Sequence, residues 1–216
     1  MEDKRLQEIV TVLQVLFPHT KTFLNYQKDY ELLFAVILSA QATDNSVNKV
    51  TEVLFGRFKD LSDYCVKNQE EIYQIIKPLG LAKNKADFLV KTGTLLREKY
   101  DGILPKDRNL LQEFPGVGYK TSGVVLAELY DAPYLPVDTH VKRVSERLGL
   151  VKENLKPDEI ETLLEKQFGK YHLIHLHRQL ILFGRNICKS RCPDCLSCPF
   201  NDFCRYYLKK EREVRK

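Results

Sequence analysis

Apolar residues recur at three- and four-residue spacing along nearly the whole chain, and this periodicity constrains the fold more than any other feature. The first example runs from Leu6 to Phe17 and stops before Pro18, as expected of an amphipathic helix. No segment shows the two-residue alternation of a half-buried strand. The sequence therefore predicts an all-α fold. The same spacing predicts further helices over roughly 47–58, 70–76, 83–100, 107–113, 119–130, 139–148, 157–168 and 171–186.

The stretch from Leu32 to Ala40 is apolar on all sides, which fits either a buried strand or a buried helix. A helix is favoured because no partner strand is evident. Short turns, such as those at Pro78 to Gly80 and Ala132 to Pro133, separate the helical patterns. With 216 residues and 44% hydrophobic content, the chain can bury one substantial core or two smaller ones that share an interface.

The N-terminal residues do not resemble a secretory signal, and the longest apolar run is too short to span a bilayer. A cytoplasmic protein is therefore expected. The net charge of +5 is modest, but no acidic residue occurs between Glu165 and Asp194. This segment suits either a phosphate backbone or an ordinary solvated face. Its basic residues are Lys166, Lys170, Arg178, Arg185, Lys189 and Arg191.

Four of the six cysteines lie close together near the C-terminus, with the spacing Cys188-x6-Cys195-x2-Cys198-x5-Cys204. In a chain without an export signal, this clustering favours a metal site over disulfides. Four thiolates can complete a tetrahedral zinc site or hold a 4Fe-4S cluster. The spacing alone does not choose between the two.

A glycine turn, Pro115-Gly116-Val117-Gly118, separates two predicted helices. Glycine allows a tight turn and brings bare amide groups close to an anion. The N–H groups of Gly116, Gly118 and the following helical turn could hold a DNA phosphate, although many helix pairs are joined by similar turns. Lys120 follows the turn directly.

The segment LQEFPGVGYKTSGVVLAEL, followed by LPVDTHVKRVSERLGL, resembles the helix-hairpin-helix and catalytic aspartate region of the endonuclease III family. The segments LLFAVILSAQATD and LGLAKNKA look like the damage-recognition segments of that family. The cysteine spacing also matches, and the resemblance extends over nearly the whole chain.

The resemblance implies a helix-hairpin-helix DNA glycosylase fold, with two helical domains and a DNA-binding cleft between them. Residues 24–133 would form a six-helix barrel that contains the hairpin, and residues 1–23 with 134–216 would form an iron-sulfur domain. It implies a monomeric, nucleoid-associated enzyme that excises oxidised pyrimidines from double-stranded DNA and cleaves the abasic strand by β-elimination. It also implies a 4Fe-4S cluster on the four spaced cysteines.

Asp138 and Lys120 match the catalytic residues of that family. Cleavage of an N-glycosidic bond develops positive charge on the sugar, which an ionised Asp138 would stabilise; the same residue suits the N-cap of a helix that begins at Thr139. Lys120 would attack C1′ and form a Schiff base. Desolvation and a helix N-terminus would both favour its neutral amine.

The remaining candidates are DNA contacts implied by the resemblance. Gln41 and Leu81 would fill the gap left when the damaged nucleotide is flipped out; otherwise they are a helix-end polar residue and a core residue next to a turn. Asp44 matches a further carboxylate of the active site, or simply begins a helix. The other candidates are Gly116, Val117, Gly118, His140 and Arg191. Tyr119 and Cys192 stand where family members often carry basic residues, which puts individual backbone contacts in doubt.

Three other classes compete with this interpretation. A non-enzymatic DNA-binding module with a zinc-stabilised tail would have no use for Lys120 together with Asp138. An adenine glycosylase would carry a glutamate near Ala35 to Gln41 and a further C-terminal domain, and would lack the lysine. A mismatch thymine glycosylase can replace the lysine, so Lys120 argues against that class less strongly.

Overall fold

The structure, a computed structural model, describes the backbone of residues 2–214 and the side chains of residues 4–213. Over these residues the structure contains helices and no strand, which confirms the predicted all-α class. Short 3-10 turns occur at Leu61–Asp63, Val66–Asn68 and Lys77–Leu79. The α-helices are α1 (Glu2–Leu16), α2 (Asp29–Leu38), α3 (Asp44–Arg57), α4 (Gln69–Ile76), α5 (Ala82–Tyr100), α6 (Arg108–Gln112), α7 (Tyr119–Tyr130), α8 (Thr139–Leu148), α9 (Pro157–Phe168), α10 (Leu173–Asn186) and α11 (Arg205–Val214).

The chain divides into two compact units. Unit 2, Thr22–Ala132, contains helices α2 to α7. Unit 1 joins Met1–Lys21 to Pro133–Lys216 and contains α1 together with α8 to α11. The sequence placed these boundaries after residues 23 and 133; the assignment of a DNA-binding barrel and an iron-sulfur domain to the two parts stays a prediction.

Helix α2 resolves the choice between strand and helix for the apolar stretch that begins at Leu32. It starts at Asp29, and the carboxylate of Glu31 accepts hydrogen bonds from the backbone N–H groups of Gln27 at 2.7 Å and Lys28 at 3.1 Å. These bonds satisfy two amide groups at the helix entry, which have no partner within the helix. Every residue from Tyr30 to Leu38 is buried, which explains why no polar face is visible in the sequence.

Aromatic side chains fill much of the core of unit 2. Tyr64 is fully buried, and its ring centroid lies 4.5 Å from that of Phe34 and 5.9 Å from that of Phe58. Gly93 of α5 packs directly against this cluster, because a Cβ built there would lie 2.7 Å from the Cβ of Tyr64. The approach of α5 to Tyr64 therefore depends on glycine at position 93.

The core of unit 1 connects α10 to the cysteine-rich segment. Phe183 of α10 and Phe200, which lies between Cys198 and Cys204, are both buried, with ring centroids 5.1 Å apart. On the other side, Ile9 and Leu13 of α1 are fully buried, and α1 packs against α10. The cysteine segment is thus attached to a folded core rather than to a free tail.

None of the described helices combines the length and the apolar character that crossing a bilayer requires.

The contact between α5 and Tyr64 can be tested with two glycine substitutions. Gly93→Ala should lower the free energy of unfolding by about 1–3 kcal/mol, because the added methyl group overpacks the core. Gly56→Ala is the matched control: Gly56 is exposed in α3 with no atom within 4 Å of the built Cβ. It should raise stability by up to about 1 kcal/mol through helix propensity. Urea unfolding measures both, and equal effects of the same sign would contradict the packing argument.

Candidate active site

The connection between α6 and α7 is a tight turn that requires glycine at position 116. Gly116 has a φ of +80°, and a Cβ at this position would lie 2.7 Å from Cδ2 of Phe88. Val117 is buried, and its N–H donates to the carbonyl of Phe114 at 3.0 Å. Val117 therefore anchors the turn, and its side chain is not available for the DNA contact predicted from sequence.

The N-terminus of α7 faces solvent without a side-chain cap. Its N-cap is Gly118, which has no side chain to accept from the first-turn amides and no atom within 4 Å of a built Cβ. Within the described residues, the N–H groups of Gly116 and Gly118 donate to no protein acceptor. Exposed, unpaired amides at a helix N-terminus form an anion-binding site when a phosphate approaches.

Arg108 of α6 holds the start of α7 in place. Its guanidinium donates to the carbonyl of Tyr119 at 2.8 Å and lies 3.4 Å from the centroid of the Tyr119 ring. The hydroxyl of Ser122 donates to the same carbonyl at 2.9 Å. Tyr119, which stands where a basic residue is common in the family, is thus paired with a buried arginine.

Lys120 is the second residue of α7 and is exposed. The helix N-terminus expected to favour its neutral amine is therefore present. The desolvation expected from the sequence stays a prediction, because Lys120 is exposed in the free protein.

Asp138 is the N-cap of α8 and is half-buried. Its Oδ1 atom accepts a hydrogen bond from the backbone N–H of Val141 at 2.7 Å. The N-cap role expected of Asp138 is confirmed, and it leaves the second carboxylate oxygen for another partner.

His140 lies two residues further along α8, against α10. Burial lowers its pKa below the usual histidine value; the charge of Asp138 opposes this shift, and the charges of Arg143 and Arg185 reinforce it. Nη2 of Arg143 lies 3.1 Å from Nδ1 of His140. A Cβ at Gly184 would lie 3.0 Å from Cβ of His140, so glycine there allows the close approach.

Gln41 and Leu81 share an unusual backbone geometry. Gln41 has a φ of +57° and Leu81 a φ of +50°, in the left-handed region that non-glycine residues seldom adopt. Both are exposed; the side chain of Leu81 is 55% exposed. The alternative interpretation of Leu81 as a core residue is therefore wrong. Asp44 is the first residue of α3, where Thr43 provides the N-cap.

The structure brings the four spaced cysteines to a single pocket in unit 1, lined also by residues of α8, α10 and α11. Arg147 of α8 holds this segment through several hydrogen bonds. Its guanidinium lies 3.4 Å from Sγ of Cys188 and donates to the carbonyls of Lys189 at 2.7 Å and Ser190 at 3.2 Å. The thiol of Cys204 lies 3.3 Å from the carbonyl of Arg147.

Burial raises the pKa of Cys195, and it raises the pKa of Cys198 to about 11, with the neighbouring thiols adding to both effects. These thiols are therefore protonated at neutral pH unless a metal replaces their protons. Among the described residues, no group of three or more His, Cys, Asp or Glu side chains is arranged so that it could hold a metal ion as it stands. Cys192 and Arg191 are exposed in the loop between Cys188 and Cys195.

Sequence reasoning missed the basic residues that hold these elements in place: Arg108, Arg143 and Arg147. Each donates to backbone carbonyls distant in sequence, including that of Cys188, which accepts from Arg143 at 3.0 Å. Arginines in predicted amphipathic helices look like ordinary surface residues, and no spacing rule marks the ones that bind distant backbone carbonyls.

Comparison with known proteins gives one consistent relationship. Residues 34–170, more than half of the chain, match a family described as HhH-GPD superfamily base excision DNA repair protein. The chain is 39% identical to endonuclease III of Bacillus subtilis (strain 168) over 210 residues, which cover 97% of this chain and 96% of the relative. It is 40% identical to endonuclease III of Escherichia coli (strain K12) over 203 residues, which cover 94% of this chain and 95% of the relative.

A solved structure of a trapped covalent intermediate between endonuclease III and DNA is also similar. It matches with a TM-score of 0.91 and 39% identity, over 97% of this chain and 99% of that chain. The fold predicted from sequence agrees with this similarity.

The His140 environment predicts a pH dependence. An unfolded histidine titrates near 6.5, and the folded value is lower, so folding favours the neutral ring. This contribution to stability is complete above about pH 6.5 and is lost as the pH falls toward the folded pKa. Urea midpoints measured between pH 7 and pH 5 should therefore fall more steeply for the wild type than for His140→Gln. Parallel pH profiles for the two proteins would show that His140 is not buried as described.

Proposed function

This chain belongs to the endonuclease III family within the HhH-GPD superfamily of base excision DNA repair proteins, and we propose that Lys120 and Asp138 carry out its catalysis. The enzyme is a DNA glycosylase with lyase activity at abasic sites. The observation that carries the assignment is the exposed amine of Lys120 on the first turn of α7, directly after the turn with unpaired amides. This membership leaves no support for a non-enzymatic module.

Lys120 is the proposed nucleophile. Its neutral amine attacks C1′ of the damaged nucleotide as the bond from C1′ to the base breaks, and the base leaves with a proton. Opening of the C1′–O4′ bond, with O4′ taking up the proton that the attacking amine gives up, then produces a Schiff base between Nζ and C1′. The Schiff base makes the C2′ protons more acidic, so β-elimination can release the 3′ phosphate. The exposed position of Lys120 leaves the amine accessible to the sugar, and the bound DNA would supply the desolvation that the free protein lacks.

Asp138 is proposed to stabilise the positive charge that develops on the sugar as the base leaves. The hydrogen bond from the Val141 amide fixes the position of its carboxylate. A carboxylate held in advance requires no reorganisation when the charge appears, which is the condition for effective electrostatic catalysis.

The proposed DNA contacts fall into two groups. The amides of Gly116, Gly118 and the first turn of α7 would bind a phosphate, which positions the enzyme without reading the sequence. Gln41 and Leu81, both exposed on left-handed turns, would occupy the space of the flipped nucleotide. Asp44, His140 and Arg191 are further proposed contacts; Arg191 is exposed and suited to a phosphate.

Four cysteine thiolates suit the soft iron of a 4Fe-4S cluster, and they line one pocket in this chain. We propose that Cys188, Cys195, Cys198 and Cys204 hold such a cluster. When bound, the cluster would crosslink the segment and fix the loop that carries Arg191. Arg147 would hydrogen-bond a ligand sulfur at Cys188, and Phe200 would anchor the segment to the core.

The proposed substrates are oxidised pyrimidines and abasic sites in double-stranded DNA, acted on by a monomer. The presence of Lys120 supports this choice over the adenine and mismatch thymine glycosylases of the same superfamily. Turnover of duplexes that each contain one thymine glycol, uracil mismatch, adenine mismatch or abasic site would rank these substrates.

The catalytic assignment predicts different effects for two substitutions. Lys120→Ala should abolish both base release and borohydride trapping of the enzyme on DNA, because the Schiff-base amine is gone, while DNA binding remains. Asp138→Asn keeps an oxygen that can accept from Val141 but removes the charge. It should lower the base-excision rate by about 10²–10³-fold and retain some trapping on a substrate that is already abasic.

Lys49→Ala is the control for loss of a lysine charge, since Lys49 is an exposed residue of α3 outside the proposed site; it should trap normally. Undiminished trapping by Lys120→Ala would assign the nucleophile to another amine. Complete loss of trapping on abasic DNA by Asp138→Asn would show that this carboxylate also activates the lysine.

The cluster assignment predicts the colour and metal content of the protein. Purified protein should be yellow-brown, with broad visible absorption and iron and sulfide bound. Cys198→Ala should lose both the colour and folded yield, whereas Cys192→Ala should keep the absorption spectrum, because only the former removes a proposed ligand. Colourless protein with one equivalent of zinc would contradict the assignment.

A further inference from the structure

Lys85 is a buried lysine with no acidic partner. It lies in the first turn of α5, is only 3% exposed, and forms no ion pair with any carboxylate of the described residues. Burial lowers its pKa, and no opposing charge offsets that shift. A buried cation without a counterion costs free energy that an apolar residue would avoid. The position therefore calls for an explanation other than helix packing.

The ammonium of Lys85 joins two separate loops. Nζ donates to the carbonyl of Ala40 at 2.8 Å and to the carbonyl of Leu79 at 3.2 Å. The backbone N–H of the same residue donates to the carbonyl of Leu81 at 3.0 Å. One residue thus holds the loop after α2 and both ends of the short turn before α5.

These loops carry the two left-handed residues Gln41 and Leu81. Ala40 immediately precedes Gln41, and the Leu79 carbonyl lies two residues before Leu81. A left-handed conformation at a non-glycine residue is strained and persists only where the surroundings impose it. In unit 2 the hydrogen bonds from Lys85 to Ala40 and Leu79 are placed to hold both Gln41 and Leu81 in the left-handed conformation.

We propose that Lys85 is a positioning residue that sets the separation of the Gln41 and Leu81 loops, so that both side chains enter the damaged duplex together. The inference rests on the DNA-inserting roles proposed above for Gln41 and Leu81. Lys85 itself is too deeply buried to be a primary DNA contact and acts through the carbonyls of Ala40 and Leu79.

The test compares Lys85→Met with Lys83→Met. Lys83 is exposed in the same turn of α5, so both variants lose one charge from the same place and only one loses the carbonyl bonds. Fluorescence anisotropy measures the affinity for a duplex with a non-cleavable abasic analogue and for the undamaged duplex. 2-Aminopurine opposite the analogue reports unstacking by the inserted residues.

In Lys85→Met, the ratio of the affinity for the abasic-analogue duplex to the affinity for the undamaged duplex should fall about tenfold, and most of the 2-aminopurine signal should be lost. The affinity of Lys85→Met for undamaged DNA should match that of Lys83→Met. Trapping on single-stranded abasic DNA, which offers no duplex gap to fill, should be unchanged. In a Gln41→Ala, Leu81→Ala background, adding Lys85→Met should have no further effect on preference. A general loss of structure would instead add to the effects of those substitutions.

If Lys85→Met does not fold, Lys85→Arg provides the comparison, because its bulkier guanidinium keeps the charge and the donors but moves the carbonyls apart. Lys85→Arg should reduce the preference for the abasic duplex by a smaller factor than the tenfold expected of Lys85→Met. Preference equal to that of the control in every folded Lys85 variant overturns the inference. If Gln41→Ala and Leu81→Ala leave the 2-aminopurine signal unchanged, these residues do not enter the duplex, and the positioning role of Lys85 is overturned with them. Failure of the wild-type protein to be trapped by borohydride would instead refute the catalytic assignment to Lys120.

Discussion

An α-helix leaves its first backbone N–H groups without partners inside the helix, and in this protein the treatment of those groups governs the candidate site. At α8 the Asp138 carboxylate accepts from Val141, so the cap and the proposed catalytic group are the same side chain. At α7 the cap is Gly118, which has no side chain to accept from the first-turn amides. The start of α8 thus holds the protein's own carboxylate, Asp138, whereas the start of α7 can bind an anion from a ligand.

The positions of both helix starts depend on arginines that donate to backbone carbonyls. Arg108 binds the carbonyl of Tyr119 and stacks on its ring, which fixes the first turn of α7 beside Lys120. Arg143 donates to the carbonyls of Gly184 at 2.8 Å and Cys188 at 3.0 Å, and it orients His140. Guanidinium groups suit this task because they present several donors in one rigid plane.

Arginine also holds the segment from Cys188 to Cys204. Its backbone is irregular, so its carbonyl groups need side-chain donors as hydrogen-bond partners. Arg147 supplies them at Lys189 and Ser190, and its guanidinium lies over the ring of Tyr206, 4.3 Å from the centroid. Phe200 provides the apolar anchor. Together these contacts of the folded chain itself bring the thiols of the four spaced cysteines to one pocket.

Local sequence patterns determined the elements of this protein. The periodicity gave α7, α8 and α9 with their observed boundaries, because each is amphipathic over several turns and ends at a clear glycine, proline or aspartate signal. It placed the start of α2 three residues late, because the first turn contains the polar residues Asp29 and Glu31, which precede the apolar run that begins at Leu32. The motifs around Lys120 and Asp138 were also local, so the sequence could propose both residues as catalytic candidates, and the structure confirms the cap at position 138.

The tertiary structure decided which polar groups are buried and what they hold. Lys85 shares a helix face with the buried Ala86 and Leu89, but the sequence does not show what its ammonium binds there, because the two carbonyls come from the loop after α2 and the turn before α5. The exposure of Leu81 was also decided by the tertiary structure, since its alternative interpretation was a core residue next to a turn, and the structure exposes it in a left-handed conformation. Sequence patterns record the period of a helix, whereas the partners of a buried donor come from distant segments and exist only once those segments have packed together.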